Sequence, residues 1–412
     1  MCREDLKHAI GIFLITVLIA STLCSCSIRQ LNEPDNPHDT PWVKPPDSKE
    51  ISSYVCAMSY PDGYNWLNDE QKGSVRCSLV VFNELVPIMK IPVGNEYEVS
   101  SDLDTHYFIN GHLYTSYTGD DHTSIKKDGE ILYRFPKPER IVKIAVDSGN
   151  VYILGQNLNG NGFSCRKNGE IIFYRESGFL FPHLSLYEGK CQFAFSEKST
   201  VDGKVVNSFY TVSGSETRQV GSGGLLVHDI IFKEGDYYFV SGQYGKAEPF
   251  SLYKNDIFLD ALPSNRSYVP LYSNLHWGDK KLFCAGDVNE VQSGSSYNKR
   301  CTIIWLGTTM YYKLYHESGF LSAFHIDGDD IPHCIVNQGN QSLLCTEGAQ
   351  IALPQDYISM GNSTITMNRE NELIVALSSP KGKRPIIWRK SRIDTLAING
   401  YITSVCSGFS SD

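Results

Sequence analysis

Four histidines are the residues of this sequence whose spacing best suits a chemical site. His183, His228, His276 and His325 recur at intervals of roughly 45–50 residues, which is close to the length of a single unit in several repeat proteins. Imidazoles brought together by such a repeat could bind a metal or an anionic ligand. Their offsets from the following turn residue differ, so we expect them at two heights. We predict that these four are ligand-binding residues, without a metal or a cofactor.

A second candidate site consists of aromatic residues in two long connecting segments. Tyr64 and Trp66 lie in the segment 60–73, and Tyr297 lies in the segment 286–300. Long loops on a rigid scaffold often carry recognition residues, and aromatic rings suit stacking on sugars or contacts with peptides. We add Tyr64, Trp66 and Tyr297 to the candidate ligand-binding residues, although packing between repeats would also use such side chains.

The sequence contains no motif that predicts catalysis. Neither Gly-x-Ser-x-Gly nor His-Glu-x-x-His is present, so the usual serine nucleophile and zinc-protease patterns are missing. Asp327, Asp329 and Asp330 resemble part of a calcium loop, but the bidentate glutamate of an EF-hand does not follow, and Asp and Gly are common in tight turns. We predict a structural turn there and no catalytic residue, while carboxylates from distant repeats could still meet in space.

These residues are positioned by a repeated pattern of strands and turns. Each copy has a short apolar strand, a turn centred on Gly or Asn, a second strand, a gap and then a hairpin on a turn such as Lys167-Asn168-Gly169-Glu170. The central turn residue recurs about every 43 residues, as expected for four-stranded propeller blades. It is found at Gly111, Gly149, Gly189, Gly235, Gly278, Gly328 and Asn371. The pattern predicts an all-β fold with little helix.

The two ends of the repeat region predict how the ring closes. Residues 51–92 provide three strands, and residues 401–406 provide one strand after the last hairpin. Three strands and one strand make a complete blade, which would remove an exposed sheet edge. We therefore predict an eight-bladed β-propeller over residues 51–412, with the first blade closed by the C-terminal strand; seven blades is the alternative.

Nine cysteines lie in the repeat region, and their number leaves at least one unpaired. Three pairs on successive strands of one blade could form cross-strand disulfides in an oxidising compartment. These pairs are Cys56 with Cys77, Cys284 with Cys301, and Cys334 with Cys345. The other interpretation is that all nine are small buried apolar side chains, and none has the spacing of a metal site.

The first 50 residues predict export and attachment to a membrane. Arg3 and Lys7 precede an apolar run at residues 9–23 that is too short to be preferred as a transmembrane helix. The junction Leu23-Cys24-Ser25-Cys26 resembles a bacterial lipoprotein cleavage site, which predicts a signal peptide at residues 1–25 and lipidation of Cys26. Residues 26–50 carry five prolines among polar residues and are predicted to be an extended tether.

Signal, cleavage site, tether and repeat domain together resemble the propeller-like lipoproteins of the Bacteroidetes cell envelope. The resemblance implies a lipid-anchored protein of the cell envelope, most simply at the outer membrane. It does not decide between the periplasmic side and the surface side of that membrane. The net charge of −9 and the lack of a basic stripe argue against nucleic acid.

Three functions remain in order of preference. The first is a non-catalytic module that binds a glycan or a protein. The second is a glycan-active hydrolase or lyase at the mouth of the propeller channel, and the third is a scaffold in an envelope complex. Because β-propellers carry out all three of these functions, the fold alone does not distinguish them.

Overall fold

The computed structural model describes fifteen stretches of the chain, and every structural statement below concerns them. They are residues 53–67, 75–95, 106–109, 112–118, 121–158, 162–220, 226–242, 250–262, 268–290, 299–307, 309–316, 319–346, 349–360, 363–368 and 371–407. The predicted signal peptide, Cys26, the tether and Tyr297 lie outside them. None of the described stretches forms a helix long and apolar enough to cross a bilayer.

The described residues form eight four-stranded antiparallel sheets, which are the predicted blades. Blade 1 contains β1 (Ser53–Tyr60), β2 (Arg76–Asn83), β3 (Val86–Asn95) and β32 (Asn399–Ser407). Blade 2 contains β4 (His106–Ile109), β5 (His112–Thr118), β6 (Thr123–Lys127) and β7 (Glu130–Phe135). Blade 3 contains β8 (Glu139–Asp147), β9 (Asn150–Asn157), β10 (Phe163–Lys167) and β11 (Glu170–Arg175). Blade 4 contains β12 (Phe179–Tyr187), β13 (Lys190–Val201), β14 (Lys204–Ser213) and β15 (Glu216–Val220).

The remaining four blades follow the same order along the chain. Blade 5 contains β16 (Val227–Lys233), β17 (Asp236–Ser241), β18 (Phe250–Lys254) and β19 (Ile257–Leu262). Blade 6 contains β20 (Tyr268–Trp277), β21 (Leu282–Glu290), β22 (Lys299–Leu306) and β23 (Thr309–His316). Blade 7 contains β24 (Phe320–Ile326), β25 (Pro332–Gln338), β26 (Gln341–Thr346) and β27 (Ala349–Ala352). Blade 8 contains β28 (Ile365–Met367), β29 (Leu373–Leu377), β30 (Ile386–Arg389) and β31 (Ile393–Thr395).

The blades stack face to face around a ring, and the core lies between them. One cluster joins Leu252 of blade 5 to Trp305 of blade 6, and another joins Phe163 of blade 3 to Phe193 of blade 4. The first strand of each blade contacts the first strand of a neighbour, as β8 does with β12 and β12 with β16. A single blade is too small to bury its own faces, so each depends on the next.

The C-terminal strand closes this ring. β32 pairs antiparallel with β1, from Ser53 opposite Ser407 to Tyr60 opposite Asn399. It occupies the first-strand position of blade 1 and contacts both β28 and β4. The prediction of eight blades closed by the C-terminal strand is confirmed, and the alternative of seven blades is wrong.

In several blades, a side chain in the turn between the third and fourth strands (the third–fourth turn) accepts a hydrogen bond from the start of the second strand. This contact explains why the Lys-Asn-Gly-Glu sequence pattern repeats. In blade 3 the side chain Oδ1 of Asn168 accepts a 2.9 Å hydrogen bond from the backbone N–H of Val151. Asp128 in blade 2 does the same for Leu113, at 2.9 Å. Asn255 in blade 5 does the same for Tyr237, at 3.0 Å. Asn and Asp suit this role because they also tolerate the positive φ of these turns.

Strand register corrects most of the expected cysteine pairs. Cys56 lies opposite Val81, while Cys284 lies opposite Trp305 and Cys301 opposite Val288, so the first two predicted pairs are wrong. Cys334 does lie opposite Cys345. A contact that the sequence did not indicate joins blades 3 and 4, where the Sγ atoms of Cys165 and Cys191 are 3.8 Å apart.

All nine described cysteines are free thiols, and all but Cys406 are buried. Burial raises the pKa of the Cys56 thiol to about 12. These residues therefore pack as small apolar side chains, as the other interpretation of the sequence expects.

Candidate functional site

A cavity of about 430 Å³ opens in the central channel. Its walls come from the first strands of five consecutive blades, β8, β12, β16, β20 and β24. The lining residues lie from the middle to the end of each strand, so the cavity is in the half of the channel near the first–second turns. The polar lining includes Lys143, His183, His276 and His325, and the aromatic lining includes Phe232, Trp277 and Phe324.

Three of the four predicted histidines thus share one cavity, and they enter it from different positions along their strands. His183 is in the middle of β12, whereas His276 and His325 are at the ends of their strands. A register shift between Leu180 and Leu184 in β12 displaces His183 from regular pairing. Such bulges re-aim side chains, and they are not visible in a spacing count.

His183 is held by a buried carboxylate of the next blade. Its Nε2 lies 2.9 Å from Oδ1 of Asp229, which is 3% exposed. The backbone N–H of Leu275 donates to Oδ2 of the same carboxylate at 2.8 Å. Burial by itself would raise the pKa of Asp229, but the charge and hydrogen bond of His183 and the backbone donor offset this effect, so its pKa lies below the usual value. Asp229 is therefore ionised at neutral pH and orients His183.

His276 and His325 are neutral imidazoles at physiological pH. Burial lowers the pKa of His276 to about 4, an effect only partly offset by the nearby Asp229 carboxylate. Burial also lowers the pKa of His325 to about 4, with a further contribution from His333. A neutral imidazole offers one hydrogen-bond donor and one acceptor. The His276 ring packs on Phe324 with centroids 4.3 Å apart.

His228 does not line this cavity. It lies seven residues before Gly235, whereas His183 and Asp229 each lie six residues before the glycine of their own turn. Because side chains alternate along a strand, one residue of difference turns His228 to the other side. Its ring meets Phe250 edge-on at 5.1 Å, and burial lowers its pKa.

The aromatic loop residues lie at the opposite end of the blades. Tyr64 and Trp66 follow β1 in a second–third connection. Trp66 is only 4% exposed and stacks on Tyr60, with ring centroids 6.5 Å apart. It also packs against Tyr401 of β32, so it stabilises the joint between the first and last strands and presents little surface to a ligand. The second long segment is shorter than expected because β21 extends to Glu290 and β22 begins at Lys299.

Asp327 stabilises the turn in which it lies. The Oδ1 atom of Asp327 accepts hydrogen bonds from the backbone N–H groups of Asp329 and Ile331, at 2.9 and 2.8 Å. Its Oδ2 lies 3.0 Å from Nε2 of His333. These partners occupy the oxygens that a cation would need, and no group of three metal-ligating side chains is found among the described residues.

Sequence reasoning missed Lys143 and the three aromatic side chains of the cavity, and it also missed Asp229, which supports His183. A signal for Asp229 did exist, because a carboxylate within the apolar strand sequence Asp229-Ile230-Ile231-Phe232 is unusual. Its position relative to the turn glycine also matches that of His183 one blade earlier. Lys143 and the aromatic residues carry no such signal.

Chemically, the cavity is suited to binding a polar molecule. It offers neutral imidazoles, one oriented histidine, one lysine and three aromatic walls. Lys143 also lies 5.3 Å from the centroid of the Tyr107 ring. Within the described lining there is no pair of carboxylates, which is the arrangement that glycoside hydrolysis requires.

The chain is an eight-bladed β-propeller, and it is similar to several solved structures at low identity. One is the Dos1 propeller, at 10% identity and a TM-score of 0.43, covering 80% of this chain and 90% of that one. Another is the propeller domain of the Trilobed protease from Pyrococcus furiosus, at 10% identity and a TM-score of 0.43, covering 74% and 96%.

A third similar structure is a puromycin-hydrolysing peptidase from Mycobacterium tuberculosis, at 8% identity and a TM-score of 0.45. The match covers 72% of this chain and 54% of that one. No protein-family model matches the sequence, and no curated protein matches it. These likenesses concern the fold alone, so the function must be argued from the cavity.

Proposed function

We propose that this protein is a lipid-anchored envelope propeller that binds a glycan in the histidine-lined cavity without chemically altering it. The observation that carries the proposal is the cavity itself, in which neutral imidazoles alternate with aromatic walls. Its volume of about 430 Å³ falls within the range of small-ligand pockets. A protein partner would instead call for a broader surface.

Sugars match the chemistry of this lining. Hydroxyl groups both donate and accept hydrogen bonds, as do the neutral imidazoles of His276 and His325. The apolar face of a sugar ring can stack on Trp277 or Phe232, in the manner of other ring contacts with aromatic side chains. His183, fixed by Asp229, adds a polar group of defined orientation.

The enzymatic alternative has less support. Asp229 lies behind His183 and is occupied by that imidazole and by the backbone of β20. A hydrolase would need a second carboxylate facing the ligand, and the described lining provides none. Anchoring through Cys26 and an envelope location depend on residues 1–50 and stay predictions.

Calorimetric titration of the mature chain with a panel of mono- and disaccharides tests the proposal. Mature protein carrying Cys26→Ser, free of vesicles, is compared with His276→Gln and His325→Gln variants of the same chain. Each loss of a hydrogen-bonding imidazole should weaken binding about tenfold. The matched control is His112→Gln, since that side chain is 44% exposed on β5 and away from the cavity; its affinity should not change.

Two results would contradict the proposal. One is a glycan that binds with equal affinity to wild type and to both cavity variants, which places its site elsewhere. The other is chromatographic evidence that the glycan is cleaved, which would establish the enzymatic alternative. Circular dichroism of each variant confirms that the fold is kept.

A further inference from the structure

A set of exposed apolar pairs occurs at equivalent positions on several blades. In blade 2 the pair is Ile131 and Leu132, which are 61% and 36% exposed. In blade 3 it is Ile171 and Ile172, at 52% and 45%. Both pairs follow the third–fourth turn directly, at the start of the outermost strand. Large exposed apolar side chains that recur in this way are unusual on a monomeric surface.

Two more blades carry the same feature. Phe258 and Leu259 of blade 5 are 53% and 44% exposed, and Met310 and Tyr311 of blade 6 are 50% and 44% exposed. We call these four pairs the apolar ring.

A shared backbone irregularity produces the apolar ring. In blade 3, Cys165 pairs with Phe173 and Arg166 with Ile171, so Ile172 is an extra residue in the fourth strand. The same shift leaves Leu132, Leu259 and Tyr311 unpaired in their strands. A bulge breaks the alternation of a strand, which allows two consecutive apolar side chains to face solvent. The ring is therefore a built feature of the repeat.

All four pairs lie near one face of the propeller. Third–fourth turns and first–second turns are at the same end of an up-and-down sheet, so the apolar ring and the histidine cavity are on the same side. Each pair starts within about three residues of its turn, or about 10 Å along a strand. The four apolar pairs lie apart from one another at a similar height around the propeller. A flat surface can contact all of them at once more easily than a single globular partner can.

The first described strand also begins on this face. β1 begins at Ser53, whose carbonyl accepts a 2.8 Å hydrogen bond from the N–H of Glu84 in the third–fourth turn of blade 1. The predicted lipid-bearing Cys26 lies 27 residues before Ser53. An extended chain of that length reaches up to about 90–97 Å, so a membrane anchor can bring this face onto the bilayer.

Lysines flank the ring where headgroups would lie. Lys127 and Lys167 each end the third strand just before a turn, with Nζ atoms 5.9 and 5.5 Å from the ring centroid of a tyrosine on the second strand. Lysine at such a position can keep its charge in the headgroup layer while its stem lies on apolar surface. With a net charge of −9 for the chain, the attraction must come mainly from apolar contact.

We propose that the apolar ring is a membrane-docking surface, by which this face of the propeller rests on the lipid bilayer. Ile172 and its equivalents then insert into the boundary between headgroups and acyl chains, as apolar side chains of peripheral proteins do. The proposal builds on the lipid anchor proposed above. It places the cavity mouth towards the bilayer, so the ligand would be a glycan carried by a lipid.

Depth measurement on the lipidated full mature protein tests the docking surface. A fluorophore is attached at Ile172→Cys or Leu259→Cys, and the protein is reconstituted in phosphatidylethanolamine and phosphatidylglycerol vesicles that contain acyl-chain quenchers. The matched control is Val205→Cys, which is 71% exposed directly after the second–third turn of blade 4, at the opposite end. Quenching at residues 172 and 259 should exceed that at residue 205 at least about threefold.

Because docking is apolar, the difference should persist at about 0.5 M salt. Equal quenching at all three positions, or none at residues 172 and 259, would overturn the proposal. Self-association in the ultracentrifuge without quenching would also overturn it, because a second copy would then cover the ring. Mass spectrometry of Cys26 establishes lipidation separately, and the vesicle-free glycan titration tests the cavity separately, so each failure can be told apart.

Discussion

At the level of single residues, one position of the repeat accounts for the contact between His183 and Asp229 at the cavity. His183 and Asp229 occupy equivalent places in neighbouring blades, each six residues before its turn glycine. Blades stack so that equivalent positions of adjacent first strands meet, and an acid next to a histidine at that place contacts it across the blade boundary, 2.9 Å apart. Substitutions at the equivalent position of other blades could change which ligand a repeat protein binds without changing its fold.

The two neutral histidines predict how stability depends on pH. Their folded pKa values of about 4 are below the usual value near 6.5, so the unfolded chain binds more protons between these limits. Stability is therefore full above pH 6.5 and decreases as the pH falls towards 4. Each histidine should lower the free energy of unfolding by on the order of 1–2 kcal/mol between pH 7 and pH 5.

Urea unfolding at pH 7, 6 and 5 measures this dependence. The double variant His276→Gln and His325→Gln should lose much of the decrease, while the exposed control His112→Gln should retain it. A double variant whose unfolding free energy falls with pH as steeply as that of wild type would show that these imidazoles are not held neutral by burial.

At the level of the elements, the tight turns decide how closely blades can approach. Gly169 in the third–fourth turn of blade 3 has φ of 86°, and a Cβ there would lie 2.8 Å from Cδ1 of Tyr133 in blade 2. Gly203, in a turn of blade 4, has φ of 74° but no atom within 4 Å of the equivalent position. The two glycines thus share a backbone requirement but differ in packing.

Alanine at these two turns should separate the two effects. Gly203→Ala should cost about 1 kcal/mol, because of its left-handed backbone. Gly169→Ala should cost about 1 kcal/mol more, since the Tyr133 ring must move as well. Denaturant midpoints of both variants provide the test, and equal losses of stability would mean that the Tyr133 contact does not matter.

Elements also mark the limit of what the sequence predicts. The strands and their turns follow from alternating apolar residues and from residues such as Asn168 and Gly169, so the blades were predictable. The register of the strands was not predictable, because the bulges between Leu180 and Leu184 and at Ile172 leave no trace in composition. The cysteine pairs depend on register, which is why that expectation differs from the structure.

At the level of the whole molecule, ring closure makes the C-terminal strand essential to stability. Ile402 of β32 is fully buried in the cluster that joins blades 8 and 1. Ile402→Ala should lower the free energy of unfolding by about 2–5 kcal/mol. Ile393→Ala is the matched control, since Ile393 is 54% exposed on β31 and its loss should cost less than about 0.5 kcal/mol.

Chemical denaturation of the two isoleucine variants gives the comparison. Similar midpoints for both would mean that the closure between β1 and β32 contributes little to the ring. The sequence predicted this closure correctly because it needs only a count of strands at each end. A count of strands could not predict the cavity, because five first strands contribute different residue types to its lining.

The pairing of β1 with β32 has a consequence for how the chain folds. Thr403 donates its hydroxyl hydrogen bond to the carbonyl of Cys56 across 347 residues of sequence. A ribosome completes β1 long before it makes β32, so blade 1 must wait with one open edge until the last strand emerges. Such long-range contact slows the final folding step and leaves a half-finished sheet available to wrong partners. The order of synthesis therefore makes blade 1 the last blade to form, although its strands are the first to be translated.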